Sequence, residues 1–379
     1  MTAAGRSTLA VGLVIIVAGL AAGYQALTSM GATLVGAVVI ALLLVTRRAD
    51  ITSTRKVRPE RVASGDEART ELTVTNRGRH AIGAGTMQER IGDRHVAIEL
   101  PPLEPGESVV IDHALPTDRR GVFTIGPLIV NRGDPMGLAQ RGDRSSQQSR
   151  LIVHPKTHPV TPFPVGLRRD MEGIPSGEGA EGGVTFSSLR EYVPGDDLRL
   201  VHWRSSAHVG ELMVRRNIDV HRPRTSVILD VSQGVYSEES FEDAIRSVAS
   251  IVQAAITRRF PFTLHTTDGA VIDDRSPQLA VMDFLAEIEW TTDPKSSIGR
   301  AALEASRGPT GLSCATITGR AGAEALESLG PLRHRFDQLT MVRMGSSESS
   351  QVYKIGGAVL INAATSIDFA NAWNRRVRG

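Results

Sequence analysis

The sequence has one cysteine, Cys314, among 379 residues. A single thiol excludes an intrachain disulfide and fits a reducing compartment. Its setting, Gly311-Leu312-Ser313-Cys314-Ala315-Thr316-Ile317, reads as a buried strand and not as a nucleophile site. Aromatic residues make up only 4% of the chain, so its cores must be mostly aliphatic. Excess charge is missing as well: the formal net charge is +2, and no basic stripe of the kind nucleic-acid binding requires is present. There is no G-x-S-x-G elbow, zinc spacing or phosphate loop, so no hydrolase, metalloenzyme or nucleotide-binding class is indicated by motif.

What is present begins with two apolar runs, from Leu9 to about Ala26 and from Ala32 to Val45. Each is about the length of one bilayer crossing, the second at the short end. The short separator Leu27-Thr28-Ser29-Met30-Gly31 predicts an antiparallel hairpin turning there, with Gly12, Gly19 and Gly23 facing Gly31 and Gly36 for close contact. Arg6 precedes the pair, and Arg47, Arg48, Arg55, Lys56 and Arg58 follow it. Positive-inside logic puts both termini in the cytoplasm, which predicts an inner-membrane protein with cytoplasmic soluble domains. The competing reading is a cleaved signal peptide, with Arg6 as its basic start and small residues near Ala21-Ala22.

The rest of the chain divides by pattern. Residues 1–50 hold the hairpin. Residues 51–155 alternate with period two, as in Glu71-Leu72-Thr73-Val74-Thr75-Asn76, with turn signals at regular spacing, and predict a small β-sandwich. Residues 156–183 are rich in proline and glycine and predict a flexible linker. Residues 225–379 alternate strands with helices, which predicts an α/β, Rossmann-type domain with a mostly parallel sheet.

Residues 184–224 hold the densest polar cluster. Pro194-Gly195 is a turn pair, and Asp196 or Asp197 stands at an N-cap position before Leu198-Arg199-Leu200-Val201-His202-Trp203. Glu191, Asp196 and Asp197 balance Arg190, Arg199 and Arg204, so the segment can neutralise itself around a Trp203 anchor. Two readings remain open: a polar clamp that shapes a domain edge, and an active or docking site.

Arg190-Glu191-Tyr192, Pro194-Gly195-Asp196-Asp197, Arg199, Trp203, Ser206-Ala207 and Leu212-Met213-Val214 together resemble the signature of the bacterial family known as domain of unknown function 58. His202 and His208 depart from that pattern, where an acidic residue and an arginine are expected. Arg119-Arg120-Gly121 and Asp134-Pro135-Met136-Gly137-Leu138 resemble segments that precede the signature, and by themselves read as turns. The strand Ser226–Leu229 with Asp230-Val231-Ser232-Gln233-Gly234 resembles the von Willebrand factor A fold, where an Asp-x-Ser-x-Ser loop holds a divalent cation. Here Gly234 replaces the last serine and Thr318-Gly319-Arg320 stands where Thr-Asp-Gly is usual. Asp230 and Ser232 are therefore a degenerate magnesium site, and no cofactor is expected.

These readings favour a membrane-anchored cytoplasmic adaptor or assembly factor over an enzyme. The resemblance implies a partner, a MoxR-type AAA+ ATPase, at an edge built from the signature residues. The alternatives are an enzyme using Asp196, Asp197 and His202, and a structural subunit of a membrane complex.

Overall fold

The computed structural model describes residues 1–46, 50–134, 136–145, 147–162, 185–193, 198–218, 224–308, 311–320, 322–345, 351–355 and 357–378. The chain forms two compact units, Met1–Lys156 with Met282–Ile288, and Thr157–Val281 with Glu289–Gly379.

The first unit opens with α1 (Ala3–Ala22) and α2 (Gln25–Thr46), both long and apolar enough to cross a bilayer. The turn between them falls at Gly23-Tyr24 and not at residues 27–31. Gly23 takes the left-handed conformation (φ 69°) that ends α1, and its N–H reaches back to Gly19 and Leu20 carbonyls. The expected close packing is found at three of the five glycines. A Cβ on Gly19 would lie 2.7 Å from the Thr28 nitrogen, one on Gly31 2.7 Å from the Gly12 carbonyl, and one on Gly12 3.1 Å from Leu34. Gly36 faces open space.

Nine strands follow: β1 (Ile51–Arg58), β2 (Arg61–Ala63), β3 (Arg69–Asn76), β4 (Gly85–Ile91), β5 (Arg94–Leu100), β6 (Ser108–Ala114), β7 (Gly121–Gly133), β8 (Gln140–Arg144) and β9 (Ser149–His154). They form a three-stranded sheet, β1-β3-β6, and a six-stranded sheet, β2-β9-β7-β4-β5, with β8 paired to β7. Period-two alternation places Leu72 and Val74 of β3 in one buried cluster with Met87, Ile98, Leu128 and Val130 of the larger sheet. A second cluster joins Val57 of β1 to Ile91, Ile125, Leu151 and Val153.

In the second unit, β10 (Thr185–Glu191) pairs antiparallel with β11 (Met213–Ile218), and α3 (Trp203–Val209) lies between them in sequence. The main sheet comprises β12 (Thr225–Leu229), β13 (Phe262–Thr266), β14 (Val271–Asp273), β15 (Gly311–Thr318), β16 (Phe336–Met344), β17 (Gln351–Ile355) and β18 (Ala358–Ala363). Their order is β14-β13-β12-β15-β16-β18-β17; the inner five run parallel, and β14 and β17 are antiparallel edges. The helices that follow β12 are α4 (Glu238–Thr257), α5 (Gln278–Glu287), α6 (Ile298–Arg307), α7 (Ala323–Glu327) and α8 (Ser366–Arg378); from Met282 on, α5 belongs to the first unit. A Ser237–Ser240 capping box starts α4. One apolar layer joins Ile298, Ala301 and Ala305 of α6 to Ile228, Cys314 and Leu339 of the sheet. Burial pushes the Cys314 thiol up to about 12, which keeps it protonated and unreactive.

The start of the expected linker is tied down. Trp373 is buried on α8, and its indole N–H donates 2.9 Å to the Thr161 carbonyl. The Thr161 N–H donates to Asn374 (2.8 Å), and the His158 N–H donates to Ser250 on α4 (2.9 Å). A strap is thus the better description of residues 157–162; residues 163–183 lie outside the described residues.

Candidate functional site

In parallel sheets, ligands gather beyond the carboxyl ends of the strands, where chain order reverses. That point in this sheet lies between β12 and β15, and Asp230 stands at it, immediately after β12. The Asp230 carboxylate is 3% exposed. Its Oδ2 accepts from the Thr318 hydroxyl at the end of β15 (2.8 Å), and its Oδ1 accepts from the Ser232 N–H (3.1 Å) and the Thr267 hydroxyl (3.3 Å). Ser296 donates to Thr267 (2.7 Å) and lies 3.3 Å from the Ser232 hydroxyl. The turn after Ser232 folds over this cluster: a Cβ on Gly319 would lie 2.0 Å from the Val235 carbonyl. Tyr236 donates to the Ile317 carbonyl (3.3 Å), and burial, then the nearby Asp230 charge, raise its phenol well above the ordinary value.

Asp230 therefore does more than cap locally: it ties β12, β13 and β15 together. In sequence, Thr267-Asp268-Gly269 matches the usual Thr-Asp-Gly but follows an earlier strand than the resemblance expects, and it reads as a hairpin turn. That turn exists, with Gly269 at φ 102°, and it also delivers the Thr267 hydroxyl to the carboxylate. Magnesium keeps several of its waters and is held by one or two carboxylates. This arrangement supplies one carboxylate, and protein donors occupy both of its oxygens. An ion here would have to displace those donors. Among the described residues, no group of three or more His, Cys, Asp or Glu side chains gathers around a common point.

The signature segment differs in detail from the sequence reading. Leu198–Leu200 is a single 3-10 turn, and the helix starts at Trp203 with His202 as N-cap. The His202 ring nitrogen Nδ1 lies 3.3 Å from the Ser205 N–H and 2.7 Å from the Ser205 hydroxyl. The capping residue lies six positions after Asp196 and five after Asp197, and Trp203 is the first residue of α3. Trp203 is 66% exposed and is not an anchor beneath a cluster. Glu191 and Arg204 are exposed too, whereas Tyr192 is half-buried. Pro194, Gly195, Asp196 and Asp197 lie outside the described residues, as do the side chains of Arg190 and Arg199. Among the described residues of the segment, Val201 pairs with Val214, both are buried, and the Ser206 hydroxyl accepts from the Met213 N–H at 2.8 Å. Its outer side carries Val193, Leu198, Leu200, Trp203, Val209 and Leu212, all exposed.

A third cluster escaped the sequence reading. Arg55 and Glu89 are buried in the first unit, with side chains 1% and 0% exposed and 2.5 Å apart. Arg55 also donates to the Ile125 and Gln147 carbonyls (3.1 and 3.2 Å). His113 Nε2 lies 2.9 Å from Glu89 Oε2, at an angle that makes no hydrogen bond. A signal for it was available: on β4 the inward positions are Met87, Glu89 and Ile91, and a charge at such a position demands a partner.

Residues 188–300 match the family described as "Protein of unknown function DUF58", which supports the resemblance carried by the signature. No curated protein matches the chain at a significant level. Among solved structures, a β-glucosidase from Erythrobacter marinus overlaps 28% of this chain and 15% of its own, at 16% identity and a TM-score of 0.20. The CARDB domain of a Pyrococcus furiosus protein, in complex with di-metal ions, overlaps 28% of this chain and 93% of its own, at 18% identity and a TM-score of 0.21. The alkylpurine DNA glycosylase AlkC of Pseudomonas fluorescens overlaps 34% and 39%, at 10% identity and a TM-score of 0.22. Overlaps this small assign neither fold nor function.

Proposed function

We propose that this chain is a membrane-anchored adaptor that binds a partner protein through its signature segment. In this reading α1 and α2 fix it in the cytoplasmic membrane with the remainder in the cytoplasm, and the two-sheet region is a β-sandwich spacer. The second unit is a von Willebrand factor A-like domain. If the six strands β12, β13, β14, β15, β16 and β18 are numbered in turn, their spatial order is 3-2-1-4-5-6, which supports that assignment.

One observation carries the reading. Residues 193–212 present six exposed large apolar side chains, Trp203 among them at 66% exposure. Exposed apolar patches mark interaction sites, and tryptophan is enriched among the residues that dominate binding energy. A catalytic use is less well supported, because His202 is engaged as a helix cap. By family analogy the partner is a MoxR-type AAA+ ATPase.

A photo-crosslinker at Trp203, in native membranes, should trap one discrete protein of that class. The same probe at Val271, exposed elsewhere on this unit, should not. Trp203→Ala should lower partner recovery about tenfold or more, as expected for a residue worth at least 2 kcal/mol. Unchanged recovery with both Trp203→Ala and Leu198→Ala would sink the proposal.

A further inference from the structure

The β7–β8 turn is held against the end of the helical hairpin that carries the N terminus. The Thr2 hydroxyl donates to the Gly137 and Leu138 carbonyls (2.7 and 3.0 Å), and the Thr2 N–H also donates to Leu138 (3.1 Å). The approach is so close that a Cβ on Gly5 would lie 1.9 Å from the Leu138 carbonyl oxygen. On the other helix, Leu138 and Ala139 share a buried cluster with Val38, Ala41 and Val45. Asp134 shapes the turn: its carboxylate accepts from the Met136 N–H (2.9 Å) and the Ala139 N–H (2.5 Å). Burial works against that charge, but the N–H groups of Ala139, Met136 and Leu138 outweigh it and hold the carboxyl below its usual range.

These contacts fix a depth. The 20 residues of α1 span about 30 Å, the thickness of the hydrocarbon layer. Thr2 and Gly5 then lie at the layer's edge, and Leu138, packed along the last turns of α2, reaches the same level. Met136, two residues before Leu138, is 73% exposed. An exposed methionine at that depth faces lipid headgroups and not bulk water. Arg6 lies one turn into α1, beside Gly5, and is exposed. A basic side chain at headgroup level is attracted by anionic lipid.

We propose that residues 136–139, with Arg6 beside them, form a foot that seats in the headgroup layer of an anionic membrane. The proposal rests on reading α1 and α2 as membrane-spanning, and the test separates the two.

The full chain carrying Cys314→Ser would be given single cysteines by Met136→Cys, Val17→Cys or Val110→Cys. Each would be labelled with an environment-sensitive fluorophore and reconstituted into phosphatidylcholine vesicles with or without phosphatidylglycerol. Val17 and Val110 are exposed positions on α1 and β6. The expected result for the Met136 probe is a blue shift, loss of iodide quenching and strong quenching by lipids spin-labelled near the headgroup, all weakened without phosphatidylglycerol. The Val17 probe should be quenched by deep spin labels, and the Val110 probe by iodide. If Val17 is deep while Met136 is as open to iodide as Val110, the foot is wrong and the spans stand. If Val17 is itself open to iodide, the hairpin reading fails and the foot with it. Identical shallow quenching without phosphatidylglycerol would overturn the anionic preference.

Discussion

Glu89 in the first unit and Asp230 in the second are both carboxylates withdrawn from water, and they are compensated by different means. Glu89 faces the guanidinium of Arg55 and the imidazole of His113. Asp230 faces two hydroxyls and a backbone N–H, all uncharged. An ion pair in an apolar interior is unforgiving: taking away one member strands the other in a medium that cannot solvate it. A carboxylate held by neutral donors keeps its charge uncancelled, so its surroundings can be altered in smaller steps. Removing one partner should therefore cost more in the two-sheet region than at the strand ends around Asp230.

The largest expected effect is on the ion pair. Glu89→Gln should cost roughly 3–5 kcal/mol by leaving the Arg55 charge uncompensated. Backbone amide exchange in β3 and β4 would report it. Trp203, Trp290 and Trp373 all belong to the second unit, so tryptophan fluorescence should unfold as in the parent. A loss below about 1 kcal/mol, the range of an exposed pair, would erase the contrast with Asp230.

Thr318→Val tests the other side. It removes one hydroxyl from Asp230 and should cost about 1–3 kcal/mol, the penalty for an unsatisfied buried acceptor. Tryptophan fluorescence is the readout here. Millimolar magnesium should leave the parent's midpoint in place. A ligand at a hundred times its Kd would add about 2.7 kcal/mol. A rise of that order, abolished by Asp230→Ala, would mean that the hydroxyls are cation ligands waiting to be rearranged.

The smallest effect concerns His265, a third buried polar group in the same sheet as Asp230. Burial lowers its titration below 6.5, against a weaker opposing pull from Glu304, and its Nδ1 has no hydrogen-bond partner. A depressed folded value means that the unfolded chain binds the proton first. Stability is then complete above about 6.5 and falls as pH drops towards the folded value. His265→Gln should flatten unfolding midpoints across that window. An unchanged slope would show that this imidazole is hydrated.

Much of this architecture could be read from residue pattern. The apolar runs gave α1 and α2, and alternation gave strands such as β3 and the succession of strand and helix from Thr225 onward. The turn of the hairpin was misplaced because Gly23 ends α1 by backbone conformation, which outweighs the polar look of Leu27–Gly31. Trp203 was taken for an anchor because size suggests burial. Its exposure follows from where α3 begins, and that is set by His202 acting as a cap. Glu89 was findable from its parity on β4 beside Met87 and Ile91. Thr267 was visible within Thr267-Asp268-Gly269, but on an earlier strand than the resemblance expects, and only the pairing of β13 with β12 shows that it reaches Asp230. The meeting of Thr2 with Leu138 leaves no local mark at all.

That last contact sets a timetable for synthesis. Thr2 and Leu138 are 136 residues apart. At elongation rates of about 5–20 residues per second, the hairpin would wait on the order of ten seconds after its own emergence before its docking turn is made. Through that interval α1 and α2 have only each other, and the approaches at Gly12, Gly19 and Gly31 must hold them in register until the turn arrives.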